Sequence, residues 1–111
     1  MTRISTHVLD TSQGHPAVGV VVKLRMASGK GWMDIATGVT DREGRVANLM
    51  DGTEYRSGTF CLQFDVGEYF GARKIATFYP SIEVTFTVMA GEDYHVPLLL
   101  SPFGYSTYRG S

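Results

Sequence analysis

Three histidines, His7, His15 and His95, are the side chains of this 111-residue chain best suited to moving a proton near neutral pH, because an unperturbed imidazole titrates at about 6.5. They lie far apart in sequence, with no HxH, HExxH or CxxC spacing that would hold a metal ion. The single cysteine, Cys61, sits in the apolar run Phe60-Cys61-Leu62 without a base or helix start beside it, so it reads as a buried thiol. There is no GxSxG elbow, no phosphate-cradling glycine loop and no dinucleotide fingerprint. What remains is the histidines, several arginines, a few acids and the chain end Tyr108-Arg109-Gly110-Ser111. Each has a plain structural explanation. A lone histidine on a strand is more often structural than catalytic, His15 before Pro16 is a turn residue, Arg45 after a turn is a solvated charge, and a terminal tetrapeptide ordinarily frays.

The elements that would carry these residues show mostly period two, broken by turn residues. Strands are expected at 4–9, 18–26, 32–39, 45–49, 60–66, 82–88, 94–100 and 105–109, with about two turns of helix at 68–74. Eight short strands and one short helix describe an antiparallel sandwich or barrel. In the first strand Ile4 and Val8 make the more apolar face, so Ser5, His7 and Leu9 look outward. His95, Pro97 and Leu99 share a face in the seventh strand, as do Ser106 and Tyr108 in the last. Side by side, these outward sets would put His7, His95 and Tyr108 among apolar neighbours, a face that association with another subunit would bury.

Length fits one domain over residues 1–111, large enough to fold without a disulfide or metal. With 43% hydrophobic and 19% charged residues the balance is globular, and a net charge of -1 gives no electrostatic case for nucleic acid or an anionic membrane. No run of 18 apolar residues and no secretory leader are visible, which makes a cytoplasmic protein the expectation.

The two ends of the chain are more specific. Ser5-Thr6-His7-Val8-Leu9-Asp10, and the long segment from Tyr94-His95-Val96-Pro97-Leu98-Leu99-Leu100 through Ser101-Pro102-Phe103-Gly104-Tyr105-Ser106-Thr107 to the terminal Tyr108-Arg109-Gly110-Ser111, resemble the transthyretin-related family and, within it, the 5-hydroxyisourate hydrolases. Gly14-His15-Pro16-Ala17, Thr40-Asp41-Arg42-Glu43-Gly44-Arg45 and Phe78-Tyr79-Pro80 extend the match over essentially the whole chain. The terminal Tyr-Arg-Gly-Ser is the family's most specific tag. Hormone-carrying transthyretin lacks it, and has a lysine in place of His7 and an acidic residue in place of Arg45.

The resemblance implies an all-β, transthyretin-like sandwich of eight antiparallel strands with one short helix. It implies dimers formed edge to edge, two of which meet face to face as a homotetramer with sites at the dimer–dimer interface. The implied activity is hydrolysis of 5-hydroxyisourate to 2-oxo-4-hydroxy-4-carboxy-5-ureidoimidazoline in urate catabolism. His7, Arg45 and His95 form the implied catalytic set, with Tyr108, Ser111, Arg109 and Leu99 on the substrate and no metal or other cofactor. Of the two histidines, His7 is assigned as base or orienter of the attacking water and His95 as its partner, an order that is open to reversal. Phe103 stands where many members have tyrosine and Asp93 where histidine is frequent; both lie off the catalytic set and read as neutral. A non-enzymatic small-molecule carrier is the alternative, opposed by the polar, cationic character of His7, Arg45 and His95. A purely structural sandwich is a third reading, and it leaves the tail unexplained.

Overall fold

The computed structural model describes residues 2–50 and 57–111. Its first strand, β1 (Ile4–Asp10), follows the alternation in the sequence: Ile4, Thr6, Val8 and Asp10 are buried, and Ser5, His7 and Leu9 are half-buried on the opposite face. β2 (His15–Pro16) folds back on β1 through the turn after Asp10. β3 (Val21–Ser28) and β4 (Gly31–Val39) form a hairpin whose turn uses Gly29 at a φ of 59°. β5 (Arg45–Val46) is short, and β6 (Gly58–Phe64) leads directly into the helix α1 (Val66–Ala72). Val66, Tyr69 and Phe70 form its buried stripe, at the spacing of one helical face. β7 (Ile82–Val88), β8 (Tyr94–Ser101) and β9 (Gly104–Thr107) complete the chain.

Two sheets result. One runs in the order β2-β1-β8-β9, with β5 also paired to β1, and the other in the order β4-β3-β6-β7. Their facing sides enclose one cluster built on Ile4, Val8, Leu24, Phe60, Leu62, Phe64, Leu98 and Leu100, all fully buried. This is the transthyretin-like sandwich, with a strand in each of the eight places expected and the helix two residues early. The details differ in three ways, one of them a parallel pair where antiparallel strands were expected throughout. The turn region after Asp10 adds a two-residue strand, β2, and the strand expected at 45–49 contracts to two paired residues. Every pairing is antiparallel except that of β1 with β8, which run parallel from Ile4 beside Tyr94 to Asp10 beside Leu100. A parallel pair needs a long crossover, and here nearly the whole chain separates the two strands.

Buried polar groups are tied down. The Asp10 carboxylate accepts hydrogen bonds from the Ser12 hydroxyl at 2.6 Å, the Tyr69 hydroxyl at 2.8 Å, and the backbone N–H groups of Ser12 and Gln13. Burial pushes this carboxyl's pKa up, but the four donors outweigh it and leave the pKa below the ordinary carboxylate value. Tyr69 is pushed up to about 12 by burial and by its bond to Asp10. Asp10 thus joins α1 to the end of β1, fixing the strand that carries His7.

Candidate active site

Register assembles the site from separate strands. β1 places Ser5 beside His95 and His7 beside Pro97 in the parallel pair, while the antiparallel pair with β5 puts Arg45 opposite His7. Directly paired residues point to the same face with Cβ atoms about 5 Å apart. The face away from the core therefore carries Ser5, His7, Arg45 and His95 together.

Arg45 owes its position to the turn Asp41-Arg42-Glu43-Gly44. The Asp41 carboxylate accepts hydrogen bonds from the backbone N–H groups of Glu43 at 2.8 Å and Arg45 at 3.0 Å, which hold its pKa below the usual range. Gly44 adopts a φ of 77° and its carbonyl accepts from the Val8 N–H at 2.7 Å. Any side chain there would be strained and would collide with the Val8 carbonyl. The turn can lie against β1 only because that residue is glycine. Among the described residues the Arg45 guanidinium makes no hydrogen bond or ion pair, so its fork of donors is available to a ligand.

His95 is held on two sides. Its Nδ1 lies 2.9 Å from the Ser5 hydroxyl. Its backbone carbonyl accepts from the Gly110 N–H at 2.8 Å, in a bridge that folds the tail back over β8. A Cβ on Gly110 would fall 2.6 Å from the His95 ring and 3.2 Å from Pro97, so only glycine lets the tail lie this close. Partial burial, then the charge of Arg45 and that of His7, lower the His95 pKa below 6.5. The ring is consequently a neutral imidazole at pH 7, able to accept a proton.

These groups line a cleft of about 350 Å³ formed by Arg3, Ser5, Arg45, Asp93, Tyr94, His95, Gly110 and Ser111. It is the size of a small-molecule site. Of the residues expected from sequence, Arg45, His95 and Ser111 line this cleft; His7 is not part of its lining and lies opposite Arg45 in register on the same face of the sheet. Leu99 lies further along the same face of β8, beside Leu9. Tyr108 and Arg109 depart from the expected grouping. They line a second cavity of about 300 Å³ with Val84, Phe86, Met89, Tyr94 and Val96. The Arg109 guanidinium pairs with Glu92 at 3.1 Å and lies over the Tyr94 ring at 4.6 Å. The reason is that β9 ends at Thr107, and strand alternation does not carry past a strand's end.

Four cleft residues were not singled out by sequence: Ser5, Asp93, Arg3 and Tyr94, the first residue of β8. Ser5 had a signal, since it shares the outward face of His7. Asp93, set aside as neutral, accepts the Arg3 backbone N–H at 3.0 Å at the cleft's edge. Arg3 precedes the first strand, where no pattern reaches it. No group of three or more His, Cys, Asp or Glu among the described residues could hold a metal ion, and no helix there is long and apolar enough to cross a membrane.

Comparison with known proteins narrows the chemistry. The model of the HIUase/Transthyretin family matches residues 4–110. A 5-hydroxyisourate hydrolase of Salmonella dublin is 45% identical over 109 residues, which are 97% of this chain and 80% of that protein. The solved 5-hydroxyisourate hydrolase of Klebsiella pneumoniae superposes with a TM-score of 0.88 at 35% identity, covering 100% of both chains. Sea bream transthyretin in complex with thyroxine superposes equally well, with a TM-score of 0.89 at 32% identity over 97% of this chain and 94% of that one. One backbone thus serves a hydrolase and a thyroxine-bound protein, so fold alone does not decide between the two.

Proposed function

This chain belongs to the HIUase/Transthyretin family, and we propose that its polar cleft is where it hydrolyses 5-hydroxyisourate to 2-oxo-4-hydroxy-4-carboxy-5-ureidoimidazoline. It is a hydrolase of the C–N bond in a cyclic amide. The observation that carries the site assignment is the meeting in one small cleft of the His95 imidazole, the Arg45 guanidinium, which has no hydrogen bond or ion pair among the described residues, and Ser111.

The flat, carbonyl-rich ring lies against Arg45, whose fork of N–H donors takes a ring oxygen and strengthens its hold as negative charge develops there. Water adds to the ring carbonyl carbon while an imidazole removes its proton. The lowered pKa and fixed ring favour His95 for this step, reversing the order expected from sequence, with His7 orienting the water from beside Arg45. The C–N bond then breaks, and the same imidazole returns the proton to the departing nitrogen. That nitrogen is part of a conjugated ureido group, a good enough leaving group for side chains to suffice without a cofactor. Ser111 closes the mouth of the cleft and hydrogen-bonds the substrate. Tyr108 and Arg109 act on the other side, anchoring the tail through Tyr94 and Glu92.

The same reading includes a homotetramer working in the cytoplasm. β7 and β9 are terminal strands of their sheets, and edge strands with open hydrogen-bonding groups invite pairing with a second copy. Two such dimers would meet across the face bearing Leu9, Pro97 and Leu99, enclosing the clefts. The unpaired, buried Cys61 suits a reducing compartment. The test is to add the protein to freshly generated 5-hydroxyisourate and follow its ultraviolet absorbance, with light scattering to weigh the assembly. Decay faster than the spontaneous rate, from a species of four chains, is expected. Decay at the spontaneous rate, with tight binding of thyroxine, would establish the carrier reading instead.

A further inference from the structure

A neutral imidazole carries one proton on two nitrogens, and which nitrogen holds it decides whether the other can act as a base. The register of β1 on β8 sets Ser5 directly beside His95, with the Ser5 Oγ 2.9 Å from Nδ1. That oxygen makes no other hydrogen bond among the described residues. On the opposite edge of the ring, the backbone of Gly110 lies close enough that even a methyl group would collide with Cδ2. The ring is thereby confined between a hydroxyl and a glycine, with Nδ1 committed to the hydroxyl.

We propose that Ser5 is a positioning residue that accepts a hydrogen bond from Nδ1–H of His95 and so leaves Nε2 as the unprotonated base. This rests on the reading of the cleft as the hydrolytic site. In this arrangement Nε2 takes the proton from water while Ser5 accepts from Nδ1–H before and after the transfer, so nothing has to reorient during the reaction. A Ser5 hydroxyl donating to Nδ1 would leave Nε2 protonated and useless as a base. Among the described residues the charged and titratable groups around the ring are His7 on β1, Arg45 on β5, Tyr94 next to it on β8, and Arg3 and Asp93 in the cleft lining. Of these, Arg45 and His7 disfavour a second proton, whereas the Ser5 acceptor favours it.

The experiment is nitrogen NMR of the His95 ring in the full-length, isotope-labelled protein above pH 7, together with the pH dependence of kcat/KM. Wild type should show a protonated Nδ1 and a bare Nε2. Ser5→Ala should mix the two tautomers, lower kcat about tenfold, the worth of one hydrogen bond, and move the acid limb of kcat/KM to lower pH, because the imidazolium loses an acceptor. Ser5→Thr, which keeps a hydroxyl, should restore all three. A wild-type ring protonated on Nε2 overturns the proposal, as does Ser5→Ala with an unchanged tautomer and pH profile. Full turnover by His95→Ala would instead overturn the reading of the cleft, a separate result that the tautomer measurement does not share.

Discussion

Two cavities among the described residues lie on either side of the same strand and the same tail, and they differ in chemical character. On one side of β8, His95 looks into a cleft whose walls are Arg3, Ser5, Arg45, Asp93 and Ser111. On the other, Tyr94 and Val96 look into a cavity walled by Val84, Phe86, Met89 and Tyr108. Strand alternation sends neighbouring residues to opposite faces, so one strand can serve chemistry and packing at once. Tyr94 touches both cavities at the end of the strand, where the separation breaks down. The tail repeats the division: Gly110 and Ser111 belong to the polar cleft, and Tyr108 and Arg109 to the apolar one. Sea bream transthyretin in complex with thyroxine has the same backbone at 32% identity, so the fold alone does not decide which chemistry such a face carries.

That division can be broken at measurable points. The largest effect on chemistry belongs to His95→Ala, which should lower turnover about 10²- to 10⁴-fold, the range for loss of a general base, with assembly and melting temperature nearly unchanged. Equal losses of turnover and stability would mean that His95 is structural. Next comes Gly110→Val, which sets a branched side chain where even a bare Cβ would fall 2.6 Å from the His95 ring. Displacing the ring by about an ångström is expected to cost about 10²-fold in rate, measured by substrate absorbance, while the core on the far side of β8 is untouched. A Gly110→Val enzyme with full rate would show that the tail does not hold the ring. The smallest chemical effect should come from the apolar cavity. Val84→Glu puts a charge, near the existing Glu92, on β7, the edge strand proposed to pair with the second copy, at a position that also packs against the core. Association should weaken at least about tenfold, read as a lower mass in sedimentation, whereas the rate per assembled site should hold. A tetramer that survives Val84→Glu would relocate the edge contact.

Much of the fold was legible because a half-buried strand announces itself by period two. β1, β3 and β7 alternate clearly in the sequence, and each buries the face that its apolar residues predicted. Reading the site was more uneven. The outward placement of His7 and His95 follows from the same periodicity, but Arg45 has no such signal. It joins the site through a turn that needs a glycine at Gly44 and a carboxylate at Asp41. Tyr108 was misplaced because alternation was extended one residue beyond the strand that carries it.

By itself the sequence determined which residues face the core, because burying apolar side chains on one side of a strand leaves no other orientation. Through its family resemblance it also offered candidates for the site, His7, Arg45, His95 and Ser111, but not Arg3, Ser5 or Asp93. Only tertiary structure decided which of these meet. The Ser5 hydroxyl and the His95 ring are 90 residues apart and touch because β1 and β8 pair in parallel at one register. Local pattern carries no information about such a pairing. It is fixed by the packing of two sheets over a shared core, and a slip of one residue along β1 would turn His7 and Ser5 inward and leave His95 without its partner.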